Sequence, residues 1–178
     1  MNNETDALIV VDFQNDFAHP EGSLYVTDAE QCVQVINQWL ELFRQMKAKS
    51  YLTRDWHPEK HISFKTWPVH CVQNTWGARF YEGILYEFAT LIVNKGEDID
   101  QEQYSGFPAL KQVLPETVEN LIVCGLATDY CVKATVLDAV KAGYNVRVIS
   151  DGIQGVNINP LDGANAILEM EKAGAEII

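Results

Sequence analysis

Residues Ala7–Phe17 read ALIVVDFQNDF, and the fold of the chain can be worked out from this stretch. The first five residues form a continuous apolar run, as expected for a strand that is buried on both faces of a parallel sheet. The run ends abruptly at Asp12. A second run, Asn120–Cys124 (NLIVC), also ends abruptly and leads through a short turn into a helical pattern. Both segments predict buried parallel strands with polar groups directly after them.

The rest of the chain alternates between strand patterns and helix patterns. Strands are predicted at Ala7–Val11, Tyr51–Thr53, Thr90–Asn94, Asn120–Cys124, Asn145–Ile149 and Ala175–Ile178. Helices are predicted from Asp28 to about Lys49, from about Val132 to Gly143, and over Asn159–Ala173. Such alternation predicts an α/β fold of three layers (α/β/α), doubly wound around a mainly parallel sheet of about six strands.

The length of 178 residues is that of a single domain, which we expect to span residues 1–178. One stretch, from Arg54 to about Ala89, shows little periodicity and carries three of the four Trp and three of the four His. Its aromatic content argues against disorder, so we interpret it as an ordered irregular region that lines a site.

The net charge and the cysteine pattern limit the classes of protein to which the chain can belong. With 13 Lys and Arg against 25 Asp and Glu, the formal net charge is −12, which disfavours binding to nucleic acid or to an anionic membrane surface. The N-terminus lacks a signal-peptide pattern and no apolar run reaches membrane-spanning length. The four cysteines form no CxxC pair or disulfide-like framework. We therefore expect a cytoplasmic protein with free thiols, which could form a homo-oligomer.

Three predicted strands end next to residues with useful chemistry, namely Asp12, Lys95 and Cys131. In an open parallel sheet the carboxyl ends of the strands share one edge, so these side chains should converge. Cys131 would lie in the first turn of a helix, where a thiolate nucleophile is favoured, with Asp12 as proton acceptor and Lys95 stabilising the charged forms. Taken singly, a cysteine such as Cys131 is more often an inert buried thiol, and Asp12 could be a helix or turn cap.

The irregular region contains a candidate metal site. Asp55 and His57 are two residues apart at the end of a strand, where both can face one ion, and His70 can supply a third ligand. His61 is a candidate fourth ligand. Two His and one carboxylate suit a single divalent ion, Zn²⁺ above all, with Fe²⁺ or Mn²⁺ as alternatives. Without further context, hydrogen-bonded or exposed histidines explain the pattern equally well.

Together these stretches resemble the nicotinamidases (pyrazinamidases) of the isochorismatase-like, or cysteine hydrolase, superfamily. The matching segments are ALIVVDFQNDF (7–17), TRDWHPEKHISF (53–64), WPVHC (67–71), NTWG (74–77), Lys95-Gly96, YSGF (104–107) and VCGLATDYCV (123–132). The order Asp, Lys, Cys is shared across that superfamily. The Asp-x-His and Trp-Pro-x-His pair is narrower and points to its metal-dependent nicotinamidases.

The resemblance implies a role for each matching residue. The catalytic residues would be Asp12, Lys95 and Cys131; the metal ligands Asp55, His57 and His70; the backbone oxyanion hole Ala127 and Cys131; and the aromatic residues at the substrate Phe17, Trp67 and Tyr104. It also implies a cis peptide bond between Leu126 and Ala127. His61 lies only four residues after His57, which departs from the family pattern, so a role behind the metal ligands is the alternative to ligation.

The implied reaction is hydrolysis of nicotinamide to nicotinate and ammonia through a thioester on Cys131, within NAD salvage. The metal would bind the pyridine nitrogen and could deliver water, and pyrazinamide would be a further substrate. The alternative enzyme is a related hydrolase of the same superfamily that acts on a carbamoyl amide or on isochorismate. A non-enzymatic binding module would be expected to lack one of the three catalytic residues, and a thiol-redox protein would need a resolving cysteine closer than Cys124.

Overall fold

A computed structural model of residues 1–178 contains one six-stranded sheet. Its strands are β1 (Asp6–Val11), β2 (Lys49–Asp55), β3 (Leu91–Lys95), β4 (Asn120–Leu126), β5 (Asn145–Gln154) and β6 (Glu176–Ile177). They are arranged in the order β3-β2-β1-β4-β5-β6, and every neighbouring pair is parallel. The predicted parallel sheet of about six strands is confirmed.

Five α-helices accompany the sheet. They are α1 (Asn15–Ala18), α2 (Val33–Met46), α3 (Phe107–Leu110), α4 (Lys133–Lys141) and α5 (Asp162–Ala173). A π-helical turn at Thr128–Val132 leads directly into α4. The predicted helix from Asp28 to about Lys49 was too long at both ends, because Ala29–Cys32 is a 3₁₀ turn and Lys47 adopts a left-handed conformation (φ 57°) that ends α2. Lys49 belongs to β2.

The sheet separates two apolar cores, which explains the unbroken apolar run of β1. Leu8 and Val10 face the core that α2 covers, whereas Ala7, Ile9 and Val11 face the core beneath α3, α4 and α5. All of these β1 side chains are completely buried. Because successive strand residues point to opposite faces, a strand between two helical layers must be apolar at every position.

The strand order reverses between β1 and β4, and this reversal positions the site. Connections from β1 and β4 leave on opposite faces of the sheet, so a crevice opens between the carboxyl ends of these two strands. Asp12 follows β1 and Ala127 follows β4 at this crevice. No helix of the chain has both the length and the apolar character of a membrane span.

The region between β2 and β3 is irregular, as predicted. It holds two 3₁₀ turns, Ile62–Lys65 and Tyr86–Phe88, and two isolated bridges that tie Gln14 to Phe80 and His57 to Val72. Arg54 and Asp55, the predicted start of this region, instead complete β2. The region folds over the carboxyl edge of the sheet.

Candidate active site and metal centre

The structure brings together the three residues predicted from the strand ends. The Lys95 Nζ lies 3.0 Å from Asp12 Oδ2 and 3.5 Å from Cys131 Sγ. All three residues are buried. Asp12 adopts a positive φ of 44°, which turns the chain out of β1 immediately after the strand, and its Oδ1 accepts a hydrogen bond of 2.7 Å from Thr53 Oγ1. A carboxylate, an ammonium group and a thiol therefore share one buried cluster.

Burial and charge set the protonation states of this cluster. Burial raises the pKa of the Cys131 thiol well above its usual value and also raises the pKa of Asp12, although the ammonium of Lys95 opposes both shifts. Burial alone would lower the pKa of Lys95, but the carboxylates of Asp12 and Asp55 raise it well above its usual value. The resting thiol is therefore protonated beside a permanently charged lysine, so that attack by the sulfur requires a base.

The turn after β4 shapes the space beside the thiol. The Leu126–Ala127 peptide bond is cis, as the resemblance implies. The backbone N–H of Ala127 donates no hydrogen bond within the protein. Cys131 lies in the π-helical turn that precedes α4, on the wall of the same pocket as Ala127. This turn could therefore present backbone N–H groups to an oxygen that gains negative charge.

Asp55 connects this cluster to the candidate metal ligands. Its Oδ1 pairs with Lys95 Nζ at 2.5 Å, and its Oδ2 lies 3.7 Å from His57 Nε2. Ligand atoms of Asp55, His57 and His70 all lie within 4.8 Å of one another, and all three residues are buried. Burial would raise the pKa of Asp55, but Lys95 and His57 lower it below the usual range, so the carboxylate is charged.

The hydrogen bonds of His57 and His70 occupy Nδ1 of each ring and leave Nε2 free for a metal. His57 Nδ1–H donates to the carbonyl of Gly96 (2.8 Å), and His70 Nδ1–H donates to the carbonyl of Pro68 (2.7 Å). A carbonyl can only accept, so in the neutral form of each ring Nε2 keeps its lone pair, and His57 Nε2 lies 3.7 Å from the Asp55 carboxylate. Burial lowers the pKa of His70; for His57, burial lowers the pKa but Asp55 raises it to a net increase. Two imidazole nitrogens and one carboxylate form a donor set that fits a divalent ion.

Glycine is required where His57 approaches the chain. Gly96 has a φ of +68°, and a Cβ at this position would overlap the His57 ring. The Lys95-Gly96 pair therefore contributes both to the Asp–Lys–Cys cluster and to the candidate metal site. Lys95 reaches the thiol, and Gly96 accepts the His57 hydrogen bond at close range.

His61 stacks on His57 and is held by other parts of the chain. The two rings lie 4.0 Å apart at an angle of 20°. His61 Nε2 is 3.1 Å from the carbonyl of Gln101, to which it donates, and its Nδ1 accepts from the backbone N–H of Ser63 (3.2 Å). Both ring nitrogens are therefore engaged by the protein, an arrangement that suits support of His57 better than ligation.

A pocket opens above the thiol and the metal ligands. It holds about 460 Å³ of empty space, part of which is open to solvent. The aromatic residues predicted to bind substrate, Phe17, Trp67 and Tyr104, all line it, together with Cys131 and His70. The Trp67 indole N–H donates to the Tyr104 hydroxyl at 3.0 Å, and the Phe17 and His70 ring centres are 5.5 Å apart. The predicted site residues thus meet in one place.

Comparison with known proteins identifies the family. The model of the isochorismatase domain family matches residues 6–178 of the chain. The chain belongs to the isochorismatase family.

Close relatives within the isochorismatase family are nicotinamidases and pyrazinamidases. The nicotinamidase of Escherichia coli (strain K12) is 38% identical, over 96% of this chain and 93% of that protein. The crystal structure of the pyrazinamidase of Pyrococcus horikoshii in complex with zinc superposes with a TM-score of 0.90 at 42% identity, covering 97% and 98% of the two chains. That of PnC1 from L. infantum in complex with nicotinate has a TM-score of 0.92 at 32% identity, covering 100% and 94%.

Several pocket residues of this isochorismatase-family chain were not predicted from the sequence. They are Leu24, Val26, Glu102, Gln103, Tyr130 and Val156. Only Tyr130 could have been predicted, because it directly precedes Cys131 in the motif VCGLATDYCV. In the structure its ring packs edge-on against Trp67, with the ring centres 5.0 Å apart. The apolar residues at 24, 26 and 156 come from loops whose pattern does not differ from ordinary core residues.

Proposed function

We propose that this isochorismatase-family protein is a nicotinamidase, which hydrolyses nicotinamide to nicotinate and ammonia and also deamidates pyrazinamide. One observation carries the proposal: a buried Asp–Lys–Cys cluster is joined to a two-histidine, one-carboxylate donor set by Asp55, which belongs to the donor set and pairs with Lys95 of the cluster. The cluster has the groups that hydrolysis of an amide requires. The donor set is the feature expected of the metal-dependent nicotinamidases within the superfamily. The similarity to the Escherichia coli nicotinamidase and to the nicotinate complex of PnC1 supports this choice.

In the first half of the reaction Cys131 attacks the carboxamide carbon. Asp12 takes the thiol proton as the carbon–sulfur bond forms, which the raised pKa of the resting thiol makes necessary. The backbone N–H groups of Ala127 and Cys131 hold the oxygen as it becomes negative. Asp12 then returns the proton to the amide nitrogen, the carbon–nitrogen bond breaks, and ammonia leaves a thioester.

The second half consumes water and restores the thiol. Asp12, again a carboxylate, removes a proton from the water that attacks the thioester carbon. The carbon–sulfur bond breaks, the proton on Asp12 passes to the departing sulfur, and the nicotinic acid that forms loses its remaining proton to solvent to give nicotinate. Lys95 lies 3.5 Å from that sulfur and stays protonated, so it stabilises the thiolate in both halves.

The donor set of Asp55, His57 and His70 would hold the metal ion, with zinc as the proposed identity. The bound ion would supply a Lewis acid at the pyridine-ring end of the pocket. His61 supports the His57 ring from behind by stacking on it. The aromatic walls made by Phe17, Trp67 and Tyr104 hold the flat ring so that its amide faces Cys131.

The proposal extends to the setting of the enzyme. Residues 1–178 would form one domain built on the single sheet, and the reaction would serve NAD salvage. All four cysteines are free, which suits a reducing compartment, so we place the enzyme in the cytoplasm.

An ammonia-release assay tests this function. Purified protein should release ammonia from nicotinamide, lose this activity after treatment with a chelator, and regain it when Zn²⁺ is added back. Carbamoyl amides and isochorismate serve as comparison substrates and should react far more slowly. Absence of ammonia release from nicotinamide in the zinc-loaded protein would overturn the proposal.

A further inference from the structure

Gln14 is completely buried two residues after Asp12, and the chemistry described above does not use it. Its side-chain amide makes three hydrogen bonds. Nε2–H donates to the carbonyl of Asp55 at 2.7 Å and to that of Ala78 at 3.0 Å, while Oε1 accepts from the backbone N–H of Asp55 at 2.7 Å. The two carbonyls and the N–H determine which end of the amide is nitrogen, since carbonyls need a donor.

The hydrogen bonds to Asp55 take the place of backbone pairing with β1, which has already ended at this level of the sheet. β1 pairs with β2 as far as Val10 and Leu52, and the last backbone contact is the Asp12 N–H to the Thr53 carbonyl, at 3.2 Å. Asp12 then turns the chain away. Asp55, three residues further along β2 than Leu52, would have no backbone partner on this side. The Gln14 amide offers Asp55 one acceptor and one donor, as the backbone of an adjacent strand would.

The backbone position of Asp55 matters because its carboxylate serves two groups. One oxygen pairs with Lys95 and the other lies 3.7 Å from His57 Nε2. On the opposite side, β3 holds Asp55 by pairing it with Lys95. Only Gln14 holds the backbone of Asp55 from the β1 side. A shift of this backbone would move a metal-binding oxygen and the lysine partner together.

We propose that Gln14 is a positioning residue, which sets the metal affinity of the site by holding the backbone of Asp55. This inference rests on the metal site in the proposed function. Gln14 makes no hydrogen bond to the candidate ligand atoms or to the thiol, so its effect on the metal runs through the backbone of Asp55. Removal of comparable partners behind metal ligands weakens metal binding by about 10- to 100-fold.

The chain offers a matched control in Asn37 on α2. Its side-chain Nδ2–H donates to the carbonyl of Gly83 at 2.7 Å, and its Oδ1 accepts from the backbone N–H of Leu85 at 3.0 Å. This is the same amide-to-backbone pairing, made by a residue that does not line the pocket. Asn37→Leu and Gln14→Met each replace the amide with an apolar side chain of similar size.

The experiment measures zinc affinity by competition with a chromophoric chelator in the absence of substrate. Gln14→Met should bind Zn²⁺ about 10- to 100-fold more weakly than the original protein, while Asn37→Leu should bind it equally well. Melting temperatures of both variants report the loss of stability separately. If Gln14→Met does not fold, Gln14→Glu takes its place, since it keeps the acceptor for the Asp55 N–H and loses the donor; weaker zinc binding is expected here too.

The possible failures can be told apart. Zinc affinity of the folded Gln14 variant equal to that of the original protein would overturn this inference alone, as would an equal loss in Asn37→Leu. If the original protein binds no zinc, the metal site of the proposed function fails, and this inference fails with it. If it binds zinc but releases no ammonia from nicotinamide, the proposed reaction fails while the zinc comparison still decides the role of Gln14.

Discussion

The two halves of the site are held in place by different means. The residues of the catalytic cluster sit on or next to strand ends of the parallel sheet: Asp12 follows β1, Lys95 ends β3, and Cys131 lies in the turn after β4. The histidines of the metal centre lie in the irregular region between β2 and β3. The backbone ladders of the sheet place the first group, whereas one isolated backbone bridge, from His57 to Val72, and individual hydrogen bonds to side chains and loop carbonyls place the second.

Asp16 shows how the irregular region is held. Its carboxylate accepts hydrogen bonds from the backbone N–H of Cys71 at 2.7 Å and of Ser23 at 3.2 Å. Gly77 packs so closely on this carboxylate that a Cβ there would overlap it. His70 directly precedes Cys71, so one buried carboxylate helps to fix the position of a candidate metal ligand. A sheet spreads the same task over many ladder bonds.

This difference suggests that a substitution should affect either chemistry or metal binding, according to the half in which it falls. A substitution of Cys131, which does not contact the candidate metal ligands through a hydrogen bond, should stop the chemistry and leave the metal in place. Substitutions in the irregular region should affect metal affinity first. Three variants test this separation.

The largest effect is expected for Cys131→Ala. Ammonia release from nicotinamide should fall by more than about 10⁴-fold, because no other group can form the thioester. Zinc content, measured by atomic absorption, should not change. Cys124→Ala, which alters another buried cysteine, on β4, is the control and should keep most of the activity. Substantial nicotinamide turnover by Cys131→Ala would remove Cys131 from the mechanism.

A large but more selective effect is expected for His57→Ala. Loss of one of three candidate ligands should weaken zinc binding by more than about 100-fold, beyond the effect of losing a supporting partner. The KM for nicotinamide should rise, since the ring would lose an anchor. His19→Ala, a histidine outside the pocket, should do neither. Unchanged zinc affinity in His57→Ala would show that the ion is bound elsewhere.

The smallest effect is expected for Asp16→Asn. An amide nitrogen replaces one carboxylate oxygen, and this nitrogen cannot accept a hydrogen bond from a backbone N–H. The free energy of unfolding should therefore fall by about 1–3 kcal/mol. Zinc affinity should fall by less than about 10-fold, because His70 keeps its own bond to Pro68. Chemical denaturation and chelator competition measure these two quantities.

Asp129→Asn is the matched control for that variant. Asp129 lies in the turn after β4 and accepts hydrogen bonds from the backbone N–H groups of Val156 and Asn157 at 2.9 and 2.8 Å, and neither of these residues belongs to the irregular region. It should lose a similar amount of stability and keep its zinc affinity. Equal effects of the two variants on zinc would contradict the separation between the two halves.

Sequence patterns predicted the sheet and the catalytic cluster for a clear reason. A strand buried on both faces is apolar at every position, so its end is visible where a charged residue appears, as at Asp12. The edge strand β3 has exposed residues, but its apolar run also ends close to a charged residue, Lys95. Parallel strands then bring such ends to one edge. The strand limits were less accurate, because Lys49 and Ser50 are polar although they belong to β2.

Gln14, Asp16 and Tyr130 were visible in the quoted motifs but received no role. A buried amide or carboxylate that holds a backbone segment has the same local appearance as a turn residue, since its partners lie far away in the chain. Gln14 and Asp55, for example, are 41 residues apart. Leu24, Val26 and Val156 could not be distinguished from core residues, because no local pattern tells an apolar pocket wall from an apolar core.

By itself, the sequence determined the α/β class and the residues with the necessary chemistry, because apolar periodicity and residue type are local properties. The tertiary structure alone decided that Asp55 serves both Lys95 and the histidines, that both nitrogens of His61 are engaged by the protein, and that Gln14 replaces a missing strand. These arrangements depend on distances between segments far apart in the chain. Only the folded backbone sets such distances.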